Sequence, residues 1–188
     1  MKKGFTLIEM LVVIAIVSLV VPAIFAIIFG ILRGETKVYR LSRVKEEGDY
    51  VLNTVANTIR NNGLILHSAT PVSDANSICR DAGTSANAPL YFVDHEGSWF
   101  NFGISSNYIA SSSSNLASPA YLNSDKTVIS NFTMSCNRDA VYSGASISLS
   151  FDICYYNASD TCPPTSALIR PEEKAWFHYQ TKIKLRNF

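Results

Sequence analysis

The stretch Gly4-Phe5-Thr6-Leu7-Ile8-Glu9-Met10-Leu11-Val12-Val13-Ile14-Ala15-Ile16 decides the fold. It opens a run from Phe5 to Leu32 in which Glu9 is the only ionisable side chain. As a helix those residues reach about 42 Å at 1.5 Å per residue, against a hydrocarbon core of about 30 Å. The run can therefore span a membrane. A cleaved secretory signal has an apolar core of about 7 to 15 residues and then a small-residue cleavage site. This run is longer, and no clear A-x-A follows it. Glu9 is the discordant residue. A carboxylate near the bilayer centre costs on the order of 2.5 to 3.5 kcal/mol, and no neighbouring residue in the sequence offers to offset it, which points to a partner outside the chain. Pro22 removes the backbone donor that would reach Ser18, so the helix is expected to kink or loosen there.

Gly4-Phe5-Thr6-Leu7-Ile8-Glu9-Met10 resembles the class III signal of type IV prepilins, and the resemblance covers roughly the first 30 residues. It implies that a prepilin peptidase cuts between Gly4 and Phe5 and methylates the new amino terminus at Phe5. Residues 1–4 are then a leader, and residues 5–32 a transmembrane and filament-core helix. Glu9 would meet the Phe5 ammonium of a neighbouring subunit and set the register, because an unpaired buried charge costs several kcal/mol. The implied partners are other pilin or pseudopilin subunits, the prepilin peptidase, an inner-membrane assembly platform, and membrane lipid before assembly. The implied location is the cytoplasmic membrane, single-pass with the head extracytoplasmic, and afterwards a surface or periplasmic filament. Basic residues alone argue otherwise: Arg33, Lys37, Arg40, Arg43 and Lys45 follow the span while Lys2 and Lys3 precede it, and lysine and arginine favour the cytoplasmic side. The leader resemblance overrides this count, since it requires Gly4 on the cytoplasmic side.

Beyond the span, Val38, Leu41, Val44, Leu52, Val55 and Ile59 keep a three-four rhythm, with Gly48 in the turn they skip. Residues 33–63 read as an amphipathic continuation of the helix, packed on the head, with Asn61-Asn62-Gly63 expected to end it in a left-handed cap. This helix also resembles that of J-type pseudopilins and W-type minor pilins. Residues 64–188 form the head. Leu90 to Val93 and Trp99 to Phe102 flank a turn-rich Asp94 to Ser98 and predict a hairpin. Alternation from Val128 to Met134, Ile147 to Tyr155 and Phe177 to Leu185 predicts at least three further strands, the last two joined by a loop from Asn157 to Pro171. Ser73 to Pro89 and Ser105 to Ser124 read as loops. The expected class is α+β and pilin-like, a long amino-terminal helix on an antiparallel sheet.

The four cysteines, Cys79, Cys136, Cys154 and Cys162, suit two disulfides in an oxidising compartment. Three connectivities are open. Closure of the short Cys154–Cys162 loop is favoured, which leaves Cys79 with Cys136. No two cysteines stand two to four residues apart, and His67, His95 and His178 are scattered, which argues against zinc. Neither a nucleophile elbow, a metalloprotease helix nor a nucleotide-binding glycine loop is present, so no cofactor and no enzymatic activity are expected. A formal net charge of +1 gives no support for nucleic-acid binding. The function expected is a structural subunit, a minor pilin or pseudopilin of a type IV pilus or type II secretion-like filament. The alternative is a pilus-associated binding module that uses the head loops for adhesion, DNA or a secreted protein.

Overall fold

The computed structural model describes residues 6–140, 142–156, 162–164 and 174–185. A single helix, α1 (Leu7–Asn62, 56 residues), runs from the apolar segment into the head. Its two halves follow from composition. Leu, Ile, Val and Ala fill the first with no polar face to bury, and every residue from Thr6 to Tyr39 is exposed. From Val44 onward the positions Val44, Gly48, Val51, Val55 and Ile59 fall on one face and are buried. Two expectations need correction here. Val38 is 66% exposed because it lies on the helix short of the head, and Val51 takes the central buried position, with Leu52 only partly covered beside it.

The helix stop also differs from expectation. Gly63 is extended (φ −76°, ψ 114°), not left-handed, and its N–H donates to Ile59 O at 2.9 Å as the chain passes directly toward the first strand. Glycine is needed for space, since a Cβ would stand 2.7 Å from Ile59 O and 3.2 Å from Phe92 Cδ1.

Among the described residues ten strands follow: β1 (Ile65–His67), β2 (Ser77–Ile78), β3 (Thr84–Asn87), β4 (Tyr91–Val93), β5 (Trp99–Ser105), β6 (Tyr108–Ser113), β7 (Ala120–Tyr121), β8 (Thr127–Arg138), β9 (Ser146–Tyr155) and β10 (Trp176–Lys184). They form a six-stranded sheet ordered β2-β1-β4-β5-β6-β7 and a four-stranded sheet ordered β10-β9-β8-β3, with every pairing antiparallel. The architecture is α+β and pilin-like. Both segments expected to be loops contain strands, β2 and β3 in one, β6 and β7 in the other. Their sequences (TSAN, YIASSS) are weak β-formers, and pairing with the stronger β5 and β8 supplies the order that propensity lacks.

The hairpin between β4 and β5 is closed by Asp94, whose Oδ1 accepts from the N–H groups of Glu96 and Ser98, both at 2.9 Å, with Gly97 at φ +78°. The core lies between α1 and the two sheets. Phe92 and Ile109 come from one sheet, Ile129, Leu149, Phe151 and Ile183 from the other, and Val51, Val55 and Ile59 from the helix. The loop expected from Asn157 to Pro171 falls outside the described residues except for Cys162, Pro163 and Pro164.

Candidate processing and assembly site

Thr6 caps α1. Its backbone is extended (φ −82°, ψ 150°), and its hydroxyl accepts from Glu9 N–H at 3.4 Å. Glu9 reaches back, so that Oε2 accepts from the Thr6 N–H at 2.8 Å and from the Thr6 hydroxyl at 2.9 Å. This capping box satisfies donors that the first helical turn leaves open, and it holds an anion at the positive end of the helix dipole. It corrects the expectation that nothing nearby in the chain offsets the Glu9 charge. A threonine three residues before a glutamate was the legible signal. Gly4 and Phe5 lie outside the described residues. Pro22 sits inside α1, which continues as one helix on both sides of it.

Where α1 meets the head, a second carboxylate does a different job. Glu47 is buried on the helix face between Val44 and Gly48. Its oxygens accept from the Ser124 N–H (3.1 Å), the Ser124 hydroxyl (2.6 Å) and the Thr127 hydroxyl (2.5 Å), while Arg43 Nε stands 3.1 Å away. Burial pushes this carboxyl up, but the hydrogen bonds from Ser124 and Thr127 and the Arg43 charge outweigh it, so the group titrates below the ordinary glutamate range. The sequence reading missed Glu47. An acid spaced three from Val44 and four from Val51, within the apolar rhythm, was the available sign. At the next residue, Gly48 receives the ring of Tyr179, whose hydroxyl donates to Asp49 Oδ1 (3.0 Å) or Lys45 O (3.1 Å). Burial and the Asp49 carboxylate push the Tyr179 phenol upward. Arg40 lies 5.3 Å from the centre of the Tyr155 ring, so two members of the basic cluster, Arg40 and Arg43, are engaged by the head or by their own helix.

Disulfides join Cys79 to Cys136 and Cys154 to Cys162. The first fastens the chain just after β2 to β8 and so ties one sheet to the other. Asp94, His95 and Glu96 stay at the hairpin tip. His178 Nδ1 instead meets Asp152 Oδ1 at 2.7 Å, and Asp152 Oδ2 accepts from Asn131 Nδ2 at 2.7 Å. Among the described residues no group of three or more His, Cys, Asp and Glu is placed to hold a metal ion.

Residues 1–21 match the family described as the prokaryotic N-terminal methylation motif. The chain carries a type IV prepilin-class signal. With the prepilin signal joined to a helix long and apolar enough to cross a membrane, the chain fits a membrane-anchored, single-pass protein of the pilin class. The motif marks a structural subunit, and it indicates peptidase processing and assembly with other pilin subunits. Neither the curated proteins nor the solved structures give a match to this chain.

Proposed function

We propose that the protein is a minor pilin or pseudopilin, cut after Gly4, methylated on Phe5 and built through α1 into a type IV pilus or type II secretion-like filament. The carrying observation is one helix with two fates: a bare apolar half bearing the prepilin signal, and a half sewn into a disulfide-tied head. Residues 1–4 are the leader, 5–32 the membrane and filament-core segment, 33–63 its amphipathic continuation and 64–188 the head. Before assembly the bare half lies in lipid, with Gly4 on the cytoplasmic side and the head outside.

The capping box gives Glu9 a role in each state. In the lipid-held subunit, Thr6 satisfies part of the carboxylate. In the filament the methylated ammonium of a neighbouring Phe5 adds the opposite charge, and the cost of leaving Glu9 unpaired in an apolar bundle enforces the register. Helical bundling also covers the apolar surface from Leu7 to Leu32, which the head leaves entirely exposed.

Intact-mass and amino-terminal mass spectrometry of the full chain, expressed with and without a prepilin peptidase, tests the proposal. The expected product with peptidase begins at N-methylated Phe5. A chain still starting at Met1, beside a control substrate that is cut, overturns it.

A further inference from the structure

The face of the six-stranded sheet turned away from α1 is unlike the rest of the head surface. Along β4 to β7 the residues alternating with buried Phe92, Phe100, Phe102 and Ile109 face outward: Tyr91, Trp99, Asn101, Gly103, Tyr108 and Tyr121. Tyr91 meets Trp99 edge to face at 5.6 Å, and Tyr108 meets Tyr121 at 5.3 Å. The two aromatic pairs stand at opposite ends of the face. Between them Asn101 lies opposite Ser112, and Gly103, with open space where a Cβ would be, lies opposite the buried Ala110, so the floor is flat, with its polar groups on the Asn101–Ser112 side. Trp99 and Gly103 are four residues apart on one strand, about 13 Å at 3.3 Å per residue.

No carboxylate, ammonium or guanidinium lies on these rows. His67, at the β1 end of the Tyr91 row, is buried, and its Nδ1 contacts Ser73 O at 3.0 Å. The outer face of β10, by contrast, presents His178, Lys182 and Lys184.

We infer that this face binds an uncharged oligosaccharide. A pyranose has an apolar C–H face edged by hydroxyls. Tyrosine and tryptophan rings offer large rigid surfaces with a polar tip to match it, and Asn101 with Ser112 supplies donors and acceptors for the hydroxyl rim. The lack of charge complements a neutral ligand and gives a polyanion nothing to hold. Two aromatic pairs at opposite ends of one face, carried by different strands, suit several linked sugars rather than one. The accessibility of the face rests on the proposed function: where α1 enters a shared helical core, the sheet face opposite α1 looks outward from the filament.

The chain has two tryptophans, so Trp176→Phe leaves Trp99 as sole reporter. The test titrates this full-length variant in detergent with uncharged hexasaccharides of glucose, galactose, mannose and N-acetylglucosamine. A saturable change in Trp99 fluorescence with at least one sugar is expected, weakened about 10-fold or more by Tyr91→Ala or Tyr121→Ala and unchanged by Lys182→Ala on the other sheet. Near-UV circular dichroism checks that each variant is folded. No saturable response to any sugar below about 10 mM overturns the inference. So does equal binding by folded Tyr91→Ala, or self-association through this face that the sugars do not compete. Filament incorporation, scored separately, distinguishes the two failures: an incorporated subunit that binds no sugar sinks this inference alone, and a sugar-binding chain never incorporated sinks the filament assignment.

Discussion

Glu9 and Glu47 sit on the same helix and show how context sets the work of one side chain. Glu9 is held by its own first turn, through Thr6, and is exposed along with the apolar surface around it. Glu9→Val keeps the helix and the Gly4–Phe5 junction, so normal processing is expected together with poor filament entry. Sheared-filament fractions compared with total mature protein check this, and normal incorporation sinks the register role. Glu47 is internal to the head, and hydrogen bonds to a charged group are worth about 1.5 to 3 kcal/mol. Glu47→Ala is therefore expected to destabilise the head by about 2 to 3 kcal/mol in denaturant melts, because Ser124 and Thr127 lose their acceptor. The Glu47 pKa is lowered by folding, so its stabilisation is present above the unfolded-state value, near 4.3, and is lost as pH falls through the lower folded one. The acid-side fall in stability should flatten in Glu47→Ala. Of these two residues the sequence disclosed only Glu9, since an acid in a greasy run is conspicuous, while an acid among mixed polar and apolar residues is not.

At the level of elements, α1 was the most readable, because its periodicity and length come from local composition. Its details depended on the sheet beneath it. Gly48 reads as a gap in the apolar rhythm, and the gap is shaped to the Tyr179 ring, with which any Cβ would overlap. Gly48→Ala gains about 1 kcal/mol of helix propensity but loses roughly 1 to 3 kcal/mol to overpacking. Net destabilisation by thermal melt is the expected result, and Tyr179→Ala in the same chain should relieve the clash. The long strands β8, β9 and β10 were visible through alternation. β2, β3, β6 and β7 were not, being short or serine-rich and ordered by the strands they pair with, which for β3 is β8, far along the chain. The left-handed cap expected at Gly63 failed for a similar reason: glycine is there to let Ile59 O and Phe92 approach, which no local motif encodes.

For the whole molecule, the cysteine bridges set the hierarchy of stability. Cys79–Cys136 closes a separation of 57 residues and Cys154–Cys162 one of 8. Chain-entropy arithmetic gives about 4 kcal/mol for the longer closure and about 2.5 kcal/mol for the shorter. Cys79→Ser/Cys136→Ser should thus lower the melting temperature more than Cys154→Ser/Cys162→Ser. The reverse order means the native contacts between the two sheets outweigh the loop term. The prepilin signal and the α+β class were legible in the sequence because each rests on contiguous residues. The aromatic face was not, since Tyr91, Trp99, Tyr108 and Tyr121 come together only through strand register.

The continuity of α1 has a mechanical meaning. A subunit tugged at its head and held at its hydrophobic end passes tension along one spine, and the force leaves the helix where Glu47 grips Ser124 and Thr127 and where Tyr179 is keyed into Gly48. From there it spreads through the ladders of β10, β9 and β8, and the Cys79–Cys136 bond shares it with the second sheet. Under load, those few side-chain attachments on the helix are the coupling that must hold.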